Sequence, residues 1–263
     1  MGWAGKCLEA MPDVFDYPLV ILVGSFVLFL ACAWLGSIAH ERRSEGVDKA
    51  DDDFSFVLGA TLTLLGLLIG FTFSMAVGRY DQRKNLEEAE ANAIGTEYVR
   101  LDLLQGGEAE NVRELLRRYL DQRIQFYKLR EGPELRQADA EAARLQGVMW
   151  SAVARHASSQ PTPIAALVVN GMNDVLNAQG YTQAAYWNRI PRAAWLLLMA
   201  ISVFCNVLVG YRAHARTASS LLVLPIALSV TLFLVADIES PRGGVIRVHP
   251  QNLEAVAEQL RPR

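Results

Sequence analysis

Four apolar runs divide the chain, and the stretches between them are polar. They cover residues 17–39, 54–77, 193–211 and 218–238, and the only charge inside them is Asp237, near the end of the last. A helix of roughly 20 apolar residues crosses the hydrocarbon core of a bilayer, so the pattern predicts four transmembrane helices. Pro225 lies inside the fourth run; it removes one backbone donor and predicts a kink that neighbouring helices absorb. The first run is expected to be retained as a span. Its apolar core is too long for a cleavable leader, Glu9, Asp13 and Asp16 precede it, and a second run follows at once.

The second run is not uniformly apolar. Gly59, Thr63, Gly66, Gly70 and Ser74 recur every three or four residues and form a narrow face of small or weakly polar side chains. Gly66 and Gly70 stand in the spacing that lets another helix backbone approach closely in a membrane. A helix beside a water-filled path has the same appearance, and both readings stand. On a neighbouring stripe Thr63, Leu67 and Phe71 are four apart, where a symmetric oligomer presents them as rings. The run ends abruptly at Arg79-Tyr80-Asp81-Gln82-Arg83-Lys84, a charged and aromatic exit at the membrane surface.

Between the second and third runs lies one sizeable polar region, and its periodicity is helical throughout. Residues 85–104, rich in Glu, Ala and Leu, continue the second span without a break until Gln105-Gly106-Gly107. A helix over 109–130 places Val112, Leu115, Leu116, Tyr119, Ile124 and Tyr127 near one face. After Glu131-Gly132-Pro133, a helix over 133–157 buries Leu135, Ala138, Ala142, Leu145, Met149 and Val153. Pro161-Thr162-Pro163 interrupts the chain, and a helix resumes over 164–178. No alternating run suggests a sheet. The expected fold class is all-α: an integral membrane protein with four transmembrane helices and a helical extramembrane bundle between helices 2 and 3. The expected division is an N-terminal segment 1–16, spans over 17–77, the bundle over 78–190, spans over 191–238 and a tail over 239–263.

Composition agrees with membrane insertion: 52% of the 263 residues are hydrophobic, and the charges, −3 in sum, are segregated between the runs. Cys7, Cys32 and Cys205 show no metal-ligand or disulfide spacing, and the last two lie inside apolar runs as small hydrophobes. His156 is the bundle's sole histidine. Glu87, Glu90 and Glu97 fall close to one helix face, with Glu88 beside them, but without a zinc-type motif they read as a solvated acidic face. Phosphate-loop, dinucleotide and nucleophile-elbow patterns are absent, so an enzyme is disfavoured and no cofactor, metal or nucleic-acid partner is expected.

Four spans return the chain to the side it started from. Lys6, Arg79, Arg83, Lys84, Arg189, Arg192, Arg242 and Arg247 lie near span ends on the bundle side, and Arg42, Arg43, Lys49, Arg212 and Arg216 on the other. The basic exit of the second span favours a cytoplasmic bundle with cytoplasmic termini. The acidic triplet Asp51, Asp52 and Asp53 fits a solvated turn or a mouth that attracts cations. Arg79 and Glu239 lie at span ends on one side, where an ion pair between helices fits. Asp237 is costly if left against lipid and is expected to face protein or water.

Two short stretches carry a resemblance. Gly70-Phe71 followed by Arg79-Tyr80 is similar to the pore helix of bestrophins, although Tyr80-Asp81 stands where two tryptophans are usual. Asp237-Ile238-Glu239-Ser240-Pro241-Arg242-Gly243, with Asn252-Leu253 after it, resembles a segment of bacterial bestrophins. The runs GFTFSMAVGRYDQR…EANAIGTEYVRLDLL and DIESPRGGVIRV resemble, more closely, a family of bacterial bestrophin-like membrane proteins. The resemblance implies a homopentameric ion channel in the bacterial inner membrane, in contact with lipids and permeant inorganic ions. It implies that the second helices surround the path, with Thr63, Leu67, Gly70, Phe71 and Ser74 lining it and Leu67 and Phe71 as a hydrophobic neck. Arg79, Asp81, Asp237 and Glu239 become pore-exit or interhelix-clamp residues. Calcium gating is not implied, because Asp237 and Glu239 alone supply too few oxygens. Asp51 to Asp53 favour cations and the basic exit favours anions, so the two signals oppose each other. The alternative function is a non-conducting scaffold or sensor whose bundle binds a partner.

Overall fold

The computed structural model describes residues 17–41, 50–104, 107–212 and 220–261. The segment 1–16, the basic residues Arg42, Arg43, Lys49 and Arg216 and the side chains of Asp51, Asp52 and Asp53 lie outside the described residues. All regular structure among the described residues is helical. The helices are α1 (Pro18–Glu41), α2 (Ala50–Arg100), α3 (Glu108–Lys128), α4 (Pro133–Ser159), α5 (Pro163–Trp187), α6 (Arg192–Arg212), α7 (Ser220–Glu239) and α8 (Gln251–Gln259), and a 3-10 turn, Leu101–Leu103, ends α2. Four helices are long and apolar enough to cross a membrane, as the four apolar runs predict. The protein is a multi-pass membrane protein.

The chain forms two compact units. The first comprises Met1–Gly78 and Arg189–Ile246 and contains the apolar helices. Within it α1 packs on both α6 and α7, which also touch each other. The α1–α6 contact is a backbone approach. A Cβ on Gly36 would stand 2.2 Å from the carbonyl oxygen of Val207, and one on Gly210 would stand 1.9 Å from that of Ala33. Two glycines therefore bring these helices together, which is how membrane helices gain dispersion contact without a hydrophobic driving force. Phe29, Ala33, Leu198, Cys205, Leu232 and Val235 fill the interior, while Leu19, Val23, Leu196 and Val223 point outward, as lipid-facing side chains do. Helix α7 continues through Pro225.

The second unit comprises Arg79–Asn188 and Arg247–Arg263. Its core is continuous. Leu116, Tyr119 and Phe126 of α3 meet Leu145 and Met149 of α4 and Val168, Met172 and Val175 of α5. Phe126, Tyr127 and Tyr186 form an edge-to-face cluster, with centroids 5.3 Å apart for the first two and 4.9 Å for Phe126 with Tyr186. The Pro161-Thr162-Pro163 break does two jobs at once. Thr162 Oγ1 accepts from the backbone N–H of Ala165 at 3.1 Å as the N-cap, and Pro163 occupies the first helical position, where no donor is missed. Helix α5 runs to Trp187 instead of ending at residue 178, because Thr182, Ala185 and Tyr186 extend the face already buried by Val175 and Ala178. The nine-residue α8 was not anticipated in the tail. It packs on α3 and buries Leu253.

Candidate functional site

The apolar part of α2 is asymmetric. Leu65, Thr72 and Ala76 are buried on one side, whereas Thr63, Leu67, Gly70, Phe71 and Ser74 all lie on an open face, with Leu67 54% and Phe71 60% exposed. Nothing lies within 4 Å of a Cβ placed on Gly59, Gly66 or Gly70. Among the described residues, no helix packs on this small-residue face at its glycines, and the close packing that its spacing allows is made elsewhere, by Gly36 and Gly210. Thr63 turns its hydroxyl inward: Oγ1 donates to the carbonyl of Gly59 at 2.9 Å. Thr61 and Thr72 do the same toward Val57 and Leu68 at 2.7 and 2.8 Å. Back-bonding of this kind satisfies a threonine inside a helix and leaves its methyl as the outward surface. The open face is consequently more apolar than its composition suggests.

At the end of α7, Asp237 is buried in protein, as expected for a carboxylate that lipid would penalise. Its two oxygens accept from the backbone N–H groups of Val245 and Ile246, each at 2.8 Å. Glu239, also buried, accepts from the backbone N–H of Ile190 at 2.6 Å, which ties the start of α6 to the end of α7. Ser240 Oγ accepts from the Gly243 N–H at 3.1 Å. The residues from 237 to 246 thus form a knot in which each carboxylate replaces a helix-terminal or turn partner that the backbone lacks. In the other unit, Arg79 donates to Asn188 Oδ1 at 3.1 Å and Asp81 is exposed.

The acidic face of α2 overturns one expectation. Glu87, Glu90 and Glu97 are buried, and only Glu88 is solvated. Glu90 receives the Arg123 guanidinium through Nε and, at 3.3 Å, Nη2; Tyr127 Oη and Thr182 Oγ1 donate at 3.1 and 3.2 Å. Glu87 caps α8. Its Oε1 accepts from the N–H groups of Asn252 and Leu253, both at 3.0 Å, and Oε2 takes Asn252 Nδ2 at 2.6 Å. A carboxylate at a helix N-terminus satisfies orphan donors and complements the dipole. A signal for Glu90 existed: Arg123 falls at the same helical spacing as Leu116, Tyr119 and Tyr127, on the apolar side of α3. His156 of α4 pairs with Glu108 of α3 through Nδ1 at 2.9 Å.

Comparison with known proteins places this arrangement. The family model of the Bestrophin-like domain matches residues 23–253. A single-substitution variant of a bacterial bestrophin homologue from Klebsiella pneumoniae matches with a TM-score of 0.64 at 16% identity, over 92% of this chain and 94% of its own. A second such variant gives 0.64 at 15% identity, over 91% and 97%. The homologue solved by zinc phasing gives 0.62 at 15% identity, over 90% and 95%. At these identities the likeness is one of fold. No curated protein matches the chain.

Proposed function

The chain belongs to the bestrophin-like family, and from that premise we propose that it is an oligomeric ion channel in which α2 of each subunit lines a central path. The observation that carries this reading is the open face of α2. Among the described residues nothing packs against its glycines, and Leu67 and Phe71 project from it. Five subunits, the number the resemblance implies, turn Leu67 and Phe71 into two stacked apolar rings. Such a neck conducts only when wetted, because water and ions gain no partner from leucine or phenylalanine side chains. With its hydroxyl directed to Gly59, Thr63 adds a methyl ring and lengthens the constriction. Gly70 lies between the two rings, and Ser74, past Phe71, leaves the path wider on the far side of the neck. Arg79 and Asp81 belong to the exit, while Asp237 and Glu239 hold the end of α7. We place the channel in a bacterial inner membrane, with bundle and termini cytoplasmic.

The test is ion flux through purified protein in liposomes under separate sodium and chloride gradients, with Phe71→Ala beside the unaltered chain. Widening the neck is expected to raise flux, on the order of tenfold for each ~1.4 kcal/mol removed from the barrier. The preferred gradient reports the selectivity. No flux from either form, with the protein folded and oligomeric, would move the assignment to a scaffold or sensor.

A further inference from the structure

The surroundings of Glu97 differ in kind from those of Glu87 and Glu90. It is fully buried, yet neither carboxylate oxygen accepts a hydrogen bond. Helix α5 passes directly over it at Gly171, where a Cβ would stand 1.9 Å from Glu97 Oε2 and 2.3 Å from Arg100 Nη1. The charged groups around it are few. Arg100, one turn on, brings Nη1 to 4.0 Å from Glu97 Oε2, and the same nitrogen lies 3.7 Å from Oδ2 of Asp174 on α5. Asp102, in the turn after α2, is engaged by Arg113 of α3. From α8 the apolar Val256 packs beside Gly95, in the same turn region of α2.

Arg100 is thus shared between two carboxylates, and only Asp174 is open to solvent. An ionised carboxylate in such a place loses hydration without gaining donors, whereas the neutral acid does not. Burial pushes the Glu97 carboxyl up, Arg100 draws it down and Asp174 adds to the rise; the outcome is about 8. Glu97 lies well beyond residue 77, where the apolar part of α2 ends, so the group belongs to the aqueous side of the helix.

We propose that Glu97 is a proton-binding site that latches α2 to α5: protonated, it lets α5 close over it at Gly171, and ionised, it drives that contact open. The proton released goes to solvent. The latch stands whether or not α2 lines an ion path, and its test does not involve conduction.

The sign follows from linkage. A carboxyl whose folded-state value is raised favours the closed contact fully below its ordinary value of 4.5 and loses that contribution as pH rises through about 8. Hydrogen exchange on the full chain, with the intrinsic rate divided out, reads the opening of peptides covering residues 92–104 and 163–176. The opening constant is expected to rise about tenfold per pH unit between pH ~5 and ~8 and to level off above. Glu97→Gln should remove the pH dependence. Arg100→Gln should move the levelling-off to higher pH, since Arg100 is the group that draws the carboxyl down. Protection that ignores pH in the unaltered chain, or an unchanged slope in Glu97→Gln, overturns the proposal. Should Glu97→Gln fail to fold, infrared spectroscopy decides. A protonated-carboxyl band that titrates near pH ~8 and shifts upward in Arg100→Gln supports the site, and its absence in the unaltered chain rejects it.

Discussion

A carboxylate removed from water needs donors, a cation or a proton, and the charged half of α2 uses all three. Glu87 takes helix-terminal N–H groups, Glu90 takes a guanidinium and two hydroxyls, and Glu97 keeps its proton. The Glu90 site draws its partners from several sides. Burial opposes the Arg123 charge, but Glu90 outweighs it and the guanidinium is held more firmly protonated; burial and Glu90 together push the Tyr127 phenol up, so it stays a donor. Arg123 also lies over the Phe126 ring at 4.2 Å. Removing one partner strands the other as a buried charge. Glu90→Leu is therefore expected to cost about 3–5 kcal/mol in denaturant unfolding of the purified protein, whereas Glu90→Leu with Arg123→Met recovers most of the loss. A double variant no more stable than the single would show that the hydrogen bonds, and not the stranded charge, set the cost. Sequence periodicity puts Glu87, Glu90 and Glu97 on one face but leaves open what covers that face. Arg123 is 33 positions from Glu90 and Asn252 is 165 from Glu87. A charged helix face is usually solvated, and only these distant partners make it a core.

At the scale of elements, the spans and the break at residues 161–163 are legible because hydropathy and proline act locally. Partners of a face are not. The spacing of Gly66 and Gly70 marks a close-approach surface, but within the chain the close approach is made by Gly36 and Gly210, which no repeat announces. Helix α8 escapes for a related reason: nine residues offer one buried position, Leu253, with Val256 and Leu260 beside it. The two glycine pairs now make opposite predictions. Gly210→Val forces a branched side chain into the carbonyl of Ala33 and is expected to lower the unfolding stability of the purified chain by about 1–3 kcal/mol or more. Gly66→Val meets open space in the same chain and is expected to leave that stability within about 0.5 kcal/mol, because substitutions away from packed features cost little. Its effect should fall on assembly and flux. Equal losses from both variants would mean that α2 is packed within its own chain after all.

For the molecule as a whole, what matters is how unevenly its spans are covered. Some 44% of the apolar window of α7 is buried inside the chain but only 11% of that of α2, so α2 is the span that the single chain leaves unfinished. Facing lipid, its row of Gly59, Gly66, Gly70 and Ser74 offers little side-chain surface to acyl chains. Copies of the same helix fit such a surface better, because small residues let backbones approach. A rotational arrangement about one axis satisfies every copy equally and leaves no open edge. This predicts the outcome of thiol cross-linking in membranes, with Cys7, Cys32 and Cys205 first replaced by alanine. Ser74→Cys, on the open face of α2, should yield covalent dimers with a short bifunctional reagent, since each chain then offers one thiol, and in a ring of five, the number the family resemblance gives, about one chain in five stays unpaired at saturation. Leu19→Cys, on the outward surface of α1, should remain monomeric under the same conditions. Complete conversion of Ser74→Cys to dimers, with no chain left over, would rule out the ring of five. Dimers from Leu19→Cys with none from Ser74→Cys would put the subunit contact on α1 and leave α2 facing lipid, which no channel lined by α2 can survive.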